Sequence, residues 1–388
     1  MGYLNNVKKL YIISFFHSLI PAYVIERLFW QQRGMNVQMV VYCEIIYAAT
    51  VTILEVPSGI LADKFGRKRL LIISGVLSAA EFIVLLSAYN FWTFGADMIL
   101  AGIGKSFSSG SENALLYDSL LAENRQADYE KFIGRQAAAD FMGGLLAALC
   151  GSLLANFMGL EINYWFSFFS MAAAFFITLT LKEPQMITSP ENETVGILKY
   201  TKQAVSVFKR QPIVFWYCLS GAVLGACLTY VDEFWQLILE ASKIPVLFFG
   251  VFGSILSFVR IPGNLFAYKL KKHFRLKNIL YVIFLFNIAG YFTLIFTGNA
   301  WSLIPVIAIV AAMGLSEPLI SGYLHSHTKS RIRATVESVS SLGLRLISVL
   351  IGLTFGYLST NFSLGAGFGL LGCVCLIYFL ILNLKNFI

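Results

Sequence analysis

Long apolar runs separated by short polar segments make up most of this chain. Residues 162–181 form an uncharged run as long as the roughly 20 residues that a membrane-spanning helix needs. Residues 278–316 and 346–384 are uncharged over 39 positions each, and polar breaks at 297–299 and 359–361 divide each run in two. The pattern therefore predicts twelve spanning helices, which begin near Leu10, Gln38, Arg69, Phe91, Phe132, Asn163, Pro212, Pro245, Asn278, Trp301, Ala334 and Leu364.

Basic residues are concentrated in alternate loops between these predicted spans. The loops after spans 2, 4, 6, 8 and 10 contain 4, 3, 5, 5 and 3 Lys or Arg residues, whereas the intervening loops contain little beyond Arg33 and Lys243. Because cytoplasmic loops are enriched in Lys and Arg, we expect both termini in the cytoplasm. The longest polar segment, 182–210, is expected to be a cytoplasmic linker between an N-terminal six-helix bundle (1–181) and a C-terminal one (211–388).

Two short segments of the first half recur in the second half in the same order. Tyr23–Trp30 (YVIERLFW) is matched by Tyr230–Trp235 (YVDEFW), and Glu55–Gly59 (EVPSG) by Arg260–Gly263 (RIPG), at offsets of 207 and 205 residues. Such repeats predict two bundles related by a pseudo-two-fold axis, with a substrate site between them at mid-membrane and alternating access by rocking.

Composition and charge exclude other classes of protein. Charged residues make up 13% of the chain, against about 25% in soluble domains. The net charge of +8 arises mostly in the loops predicted to be cytoplasmic. It therefore indicates the orientation of the chain in the membrane, and we expect no nucleic-acid partner. The cysteines and histidines lack metal-ligand spacing, and the sequence contains no phosphate-binding glycine loop and no paired nucleophile and base. We therefore expect no enzyme, no metal and no cofactor, and an ion gradient as the energy source.

A compact charged motif joins predicted spans 2 and 3, within Ser58–Leu71 (SGILADKFGRKRLL). It resembles the loop signature of the major facilitator superfamily, matched by Gly59, Leu61, Ala62, Asp63, Gly66, Arg67 and Lys68. The resemblance implies the twelve-helix, two-bundle fold of that family. It also implies a gating latch, in which the acid and the arginine form a charge pair that holds the outward-facing state. Gly59 would allow a close helix approach, and Gly66 the tight turn.

Other segments refine the resemblance and mark departures from it. Ser109–Leu120 and Arg333–Leu346 resemble a branch of bacterial facilitators near drug and small-metabolite exporters. Met98 stands where many proton-driven members have an arginine. Of the paired glycine motifs typical of drug antiporters in span 5, only Gly143-Gly144 is present. The coupling mode and the direction of transport therefore stay open.

Ionisable residues inside the spans are the candidates for binding substrate or protons, because a charge at mid-membrane costs at least about 2.5 kcal/mol. Lys105 and Glu112 share one helical face, where Lys105 either contacts substrate or pairs with an acid of a neighbouring helix. Glu317-Pro318 is expected to break span 10 and form a hinge. The set also contains acids at matching positions of the two repeats, an aromatic residue near one of these acids, and further buried charges. The candidate residues are Glu26, Lys105, Glu112, Tyr230, Asp232, Glu233, Arg260, Glu317 and Arg345.

These features predict a monomeric secondary transporter in the bacterial inner membrane. We expect proton-coupled export of a small organic molecule, drug-like or of the siderophore type. The buried cations Lys105, Arg260 and Arg345 would favour a substrate that bears a carboxylate. One alternative is a proton symporter that imports a nutrient or an organic anion. Another is a membrane receptor that does not transport.

Overall fold

The described part of the chain, in a computed structural model, is almost entirely helical and comprises residues 3–184, 208, 212–296, 298–328 and 333–384. Among these residues there are α-helices, short 3₁₀ turns and no β-strand. In chain order the helices are α1 (Leu4–Ser18), α2 (Glu26–Gln32), α3 (Val37–Phe65), α4 (Arg67–Leu86), α5 (Phe91–Leu121), α6 (Tyr129–Met158), α7 (Glu161–Leu179), α8 (Pro212–Ala241), α9 (Phe249–His273), α10 (Leu276–Thr293), α11 (Leu303–His327), α12 (Arg333–Asn361) and α13 (Leu364–Leu384).

The helices match the predicted membrane spans closely. Within the described ranges, 10 helices are long and apolar enough to cross a membrane, and a bent pair raises the number to 11. The remaining predicted span corresponds to α5, which has 31 residues but carries four ionisable ones. At 1.5 Å per residue α5 is about 46 Å long, more than the roughly 30 Å of a bilayer's hydrocarbon core. The chain is therefore an all-helical integral membrane protein.

The first predicted span is a broken helix. Helix α1 ends at Ser18, a 3₁₀ turn covers Pro21–Val24, and α2 begins at Glu26, with a bend of 48° between the two parts. Proline has no backbone N–H to continue an α-helix, which accounts for the break at Pro21. The bend moves the start of α2 away from the axis of α1.

Side-chain caps determine where two of the long helices begin. The Asn36 side chain accepts a hydrogen bond from the Met39 N–H at 2.9 Å, at the start of α3. Asn90 accepts one from the Thr93 N–H at 3.1 Å, at the start of α5. Asparagine is a favoured N-cap because its oxygen satisfies an otherwise unpaired N–H.

The chain divides into two compact units, and each is described by itself. Unit 1 comprises Met1–Thr188 with Pro245–Ser254, and unit 2 comprises Ser189–Ile244 with Ile255–Ile388. The sequence placed residues 245–254 in the C-terminal bundle, whereas in the structure they group with unit 1. The reason is close packing on α6: a Cβ on Gly250 would lie 2.0 Å from the Ala148 carbonyl oxygen. Most of the predicted linker, 185–207, lies outside the described residues.

Within unit 1, glycines on α6 allow the broken first span to approach closely. A Cβ on Gly143 would lie 2.3 Å from the Phe15 carbonyl oxygen, and one on Gly151 would lie 2.6 Å from that of Pro21. Real Cβ atoms do not come so close to backbone oxygens, so both positions require glycine. This contact sets α1 directly against α6.

Candidate functional site

Near the middle of α5 and α6, and at the C-terminal end of α1, polar side chains of unit 1 come together. Lys105 is residue 15 of the 31 in α5, and Asp140 is residue 12 of the 30 in α6. The group, called the mid-depth cluster below, consists of Ser14, His17 and Ser18 on α1, Lys105 and Glu112 on α5, and Gln136 and Asp140 on α6.

Glu112 is held by hydrogen bonds from both neighbouring helices. The Ser14 hydroxyl donates to Glu112 Oε1 at 3.0 Å, and the Gln136 amide donates to the same oxygen at 2.7 Å. The Ser18 hydroxyl donates to a carboxylate oxygen of Asp140. These bonds orient two carboxyl groups between α1 and α6.

His17 is a member of this cluster that the sequence analysis did not select. Glu112, Lys105 and Asp140 all act electrostatically on its imidazole, so two acids and one base surround it. The sequence analysis assessed histidines only for metal spacing. The criterion that selected Lys105, an ionisable group inside a predicted span, would also have found His17.

The Lys105 ammonium is exposed, and none of the residues that the structure describes forms an ion pair with it. The expected alternative, a pair with an acid on a neighbouring helix, is therefore not formed in the described part of the chain. An ammonium in this position is available to an anionic group of a ligand. With the imidazole and two carboxyl groups nearby, the cluster can also exchange protons.

A second polar group of unit 1 surrounds Glu26, at the start of α2. The Arg27 guanidinium lies 2.6 Å from Glu44 Oε1 and 3.7 Å from Glu26 Oε1, and its side chain is 4% exposed. Glu26 thus lies beside a deeply buried arginine.

In unit 2, an ion pair joins two of the predicted site residues. The Arg260 guanidinium on α9 donates to the Asp232 carboxylate on α8. Both side chains are about one-third exposed. The pair explains how two charges are accommodated inside spanning helices, because each neutralises the other.

Tyr230, one turn before Glu233, has its ring packed inside unit 2. Its hydroxyl donates to the Ser348 carbonyl at 2.5 Å, and the ring stacks on Phe355 with centroids 4.9 Å apart. The ring is buried between α8 and α12, so it packs in the core in this conformation. Glu233 and Arg345 are partly exposed.

Glu317 is exposed on α11, and the expected break at Glu317-Pro318 does not occur. Helix α11 runs without interruption from Leu303 to His327 with Pro318 in its interior. Spanning helices tolerate proline because neighbouring groups satisfy the freed carbonyl. The prediction of a broken span was therefore wrong.

The loop motif between α3 and α4 forms a network of its own. The Arg67 guanidinium donates to the Asp118 carboxylate and, at 2.8 Å, to the Ala114 carbonyl. The side chain of Asp63 lies outside the described residues, so the predicted latch stays a prediction. A Cβ on Gly59 would meet no described atom within 4 Å, so the close helix approach expected there is not seen.

Glu183 completes this network and was not foreseen. Its carboxylate accepts hydrogen bonds from the backbone N–H groups of Arg67 at 2.9 Å and Lys68 at 2.7 Å. It therefore caps the first turn of α4, where the helix dipole favours a negative charge. Gly66, at φ +94°, makes the turn that exposes these N–H groups.

Unit 2 also contains an apolar cavity of about 490 Å³ between α8 and α12. Its walls include Phe215, Cys218 and Ala222 from α8, and Ser340 and Gly343 from α12. A cavity of this size is in the range of small-molecule sites, which are mostly apolar.

Residues 10–352 match the family model described as Major Facilitator Superfamily. The chain is 21% identical over 335 residues to the class H tetracycline resistance protein of Pasteurella multocida, covering 84% of this chain and 80% of that protein. It is 25% identical over 370 residues to the multidrug resistance protein MdtG of Escherichia fergusonii, covering 92% and 86%.

Solved structures agree with this fold. The nucleoside transporter NupG superposes with a TM-score of 0.78 at 13% identity, covering 100% of this chain and 99% of its own. The D-xylose-proton symporter has a TM-score of 0.69 at 15% identity, covering 98% of this chain and 96% of its own. At these identities the likeness concerns the fold alone.

Proposed function

Because this chain belongs to the major facilitator superfamily, we propose that it exports a small organic molecule, drug-like or of the siderophore type, in exchange for protons. Family membership makes it a multi-pass membrane transporter and not an enzyme. The observation that carries the proposal is the mid-depth cluster, where Lys105 has no described ion-pair partner and lies near His17, Glu112 and Asp140. We further propose that it acts as a monomer without a cofactor, in the bacterial inner membrane with both termini in the cytoplasm.

The cluster supplies what a coupled exporter needs in one place. A lysine ammonium can bind an anionic or carbonyl group of the cargo, and the attraction is strong where water is scarce. The imidazole of His17 and the carboxyl groups of Glu112 and Asp140 can take up and release protons beside it. The tetracycline and multidrug resistance named for two relatives favours cargo of a drug-like kind.

The apolar cavity of unit 2 supports cargo with an apolar part. Its walls include aromatic, aliphatic and small side chains of α8 and α12. A cavity of this kind can accommodate the apolar part of a ligand.

A second candidate is a proton symporter that imports a nutrient or an organic anion. One observation favours it: the glycine signature of drug antiporters in span 5 is incomplete, because only Gly143-Gly144 is present. The non-transporting receptor is not retained, because the family and the relatives are transporters.

Transport in everted membrane vesicles distinguishes the two candidates. With the lumen acidified, an exporter that exchanges protons accumulates tetracycline, ethidium or a catecholate siderophore inside the vesicles, whereas a symporter depletes a preloaded compound. Accumulation that collapses on addition of a protonophore supports the proposal. Depletion under the same gradient would show that the importer interpretation is correct.

The role of Lys105 is tested in the same vesicles. Lys105→Ala should weaken the apparent affinity for the transported compound at least tenfold, and Lys105→Arg should restore part of it because the charge returns. Lys131→Ala, which removes an exposed lysine near the start of α6, is the matched control. An unchanged affinity for Lys105→Ala would exclude a substrate contact at this position.

A further inference from the structure

Asp97 on α5 is the most deeply buried carboxyl group of unit 1. Its residue is 0% exposed, and neither carboxyl oxygen has a hydrogen-bond partner among the described residues. No ion pair involves it in the described part of the chain either. An ionised carboxylate without a partner is very costly in such a place, whereas the neutral acid is tolerated.

Buried aromatic side chains form the walls around this position. Phe94, one turn earlier on α5, packs against Trp30 with ring centroids 4.6 Å apart, and both rings are 0% exposed. Tyr164 on α7 packs against Phe29 at 4.0 Å. These rings exclude water and offer no cation to an acid.

Two further acids approach Asp97 from other helices. Glu81 on α4 and Glu26 on α2 both act electrostatically on it, and Glu26 also acts on Glu81. Glu81 and Glu26 are only partly buried, unlike Asp97. Like charges repel one another, so simultaneous ionisation of these three carboxyl groups is disfavoured.

A buried phenol also lies near these acids. Tyr164 is 1% exposed, it lies beside the Trp30 ring N–H, and it is within electrostatic range of Glu26 and Asp97. A phenol hydroxyl can both accept and donate a hydrogen bond, so its proton is available to a nearby carboxylate oxygen.

A nearby cation, Arg27, is already engaged. Arg27 is paired with Glu44 at 2.6 Å and lies 3.7 Å from Glu26. Four acids of this region, Glu26, Glu44, Glu81 and Asp97, thus outnumber the arginine, so ionisation of all four would leave the group with a net negative charge. The remaining titratable groups that face this region are Cys43 and Tyr47 on α3 and Tyr23 in the 3₁₀ turn.

We propose that Asp97, Glu81, Glu26 and Tyr164 form a proton-binding site, called the acid pocket below, in which Asp97 carries the exchangeable proton. This inference deepens the proposed function, on which it rests, by adding a second site for the coupling proton to the groups of the mid-depth cluster. On release, the Asp97 O–H bond breaks and the proton passes to a carboxylate oxygen of Glu81 or Glu26. The pair keeps its total charge during this step, and the partly exposed acid then delivers the proton to water. Uptake follows the same steps in reverse.

Infrared spectroscopy of the purified, lipid-reconstituted protein tests the site without any substrate. At neutral pH, the wild type should show the C=O stretch of a protonated carboxyl group, shifted in D₂O. Asp97→Asn should remove this band, whereas Asp128→Asn, which alters a half-exposed acid paired with Arg125 in the loop before α6, should keep it. An unchanged band in Asp97→Asn would overturn the inference.

If Asp97→Asn does not fold, Glu81→Gln serves as the second variant. Replacing an acid that interacts with Asp97 should move the position of the band or the pH at which it disappears, and no change in either would also overturn the inference. The control for folding is the elution profile of each variant in size-exclusion chromatography.

Transport separates this inference from the proposed function. In proteoliposomes, Asp97→Asn should lose at least tenfold in tetracycline accumulation driven by a pH gradient, but retain exchange of tetracycline at equal pH. If the pH gradient drives tetracycline accumulation equally well in the wild type and in Asp97→Asn, the acid pocket is refuted and proton-coupled export is not. If the pH gradient does not affect tetracycline accumulation by the wild type, but the infrared band still depends on Asp97, proton-coupled export is refuted and the proton site remains supported.

Discussion

Alanine substitution should have opposite effects on stability at two adjacent glycines of α6, Gly143 and Gly144, although the two form a pair in the sequence. A Cβ on Gly143 would lie 2.3 Å from the Phe15 carbonyl oxygen and 3.3 Å from the Leu19 backbone nitrogen, whereas one on Gly144 would meet no described atom within 4 Å. Gly143→Ala must therefore push α1 and α6 apart. Gly144→Ala has room for its methyl group.

The magnitude follows from comparing the two variants. Both gain the helix propensity of alanine over glycine, worth about 0.8–1.0 kcal/mol, and this contribution cancels in the difference between them. What remains is the overpacking of Gly143→Ala, typically about 1–3 kcal/mol. We expect the upper part of that range, because the contacted atoms belong to the backbone and cannot rotate away. Gly144→Ala should be neutral or slightly stabilising.

SDS-induced unfolding of both variants in mixed micelles measures this difference directly. The same shift of α1 would disturb the hydrogen bond from Ser14 to Glu112, so Gly143→Ala should also lower transport, while Gly144→Ala should not. Equal unfolding midpoints for the two variants would refute the reasoning, and so would greater destabilisation by Gly144→Ala.

Three further predictions concern contacts outside the mid-depth cluster. Glu183→Ala removes the acceptor for two N–H groups at the start of α4 and should lower the free energy of unfolding by about 1 kcal/mol in the same assay. An unchanged unfolding midpoint would show that the carboxylate does not act as a stabilising cap. Arg260→Ala leaves Asp232 unpaired and should reduce the folded yield, and Arg260→Ala with Asp232→Ala should recover it; failure to recover would argue against the pair. Tyr230→Phe should lose about 0.5–1.5 kcal/mol of stability and leave the apparent affinity for tetracycline within twofold, since the hydroxyl donates to a backbone carbonyl; a large loss of affinity would instead indicate a ligand contact.

The helical architecture could be predicted from the sequence because it depends on local properties. The length of an apolar run decides whether a helix can cross the bilayer, and that length can be read directly from the chain. The break in the first span was missed because Leu10 to Trp30 is apolar on both sides of Pro21. Helix α11, in contrast, continues through Pro318. A proline shows where a helix is weakened, but the packing around it decides whether the helix breaks.

The candidate site was harder to predict, because burial of a charge depends on which helix covers it. Helical periodicity placed Lys105 and Glu112 on one face of α5, but it could not show that Ser14 and Gln136 would bind Glu112. Asp97 is completely buried, and nothing in the sequence of its own helix indicates that burial. Such neighbours come from distant parts of the chain, and a single sequence contains no record of those contacts.

The position of both polar groups on α5 has a mechanical consequence. Asp97 and Lys105 are eight residues apart, which corresponds to about 12 Å along a helix, and α5 is unbroken between them. A change in the charge of Asp97 would therefore be felt by Lys105 mainly through movement of the helix, since direct Coulomb interaction weakens over that distance. The helix is also closely packed on α4 at Gly104, where a Cβ would lie 3.4 Å from the Ser78 hydroxyl, and on α3 at Gly102, where a Cβ would lie 2.8 Å from Thr50. A displacement of α5 would therefore have to be accommodated at these contacts with α3 and α4.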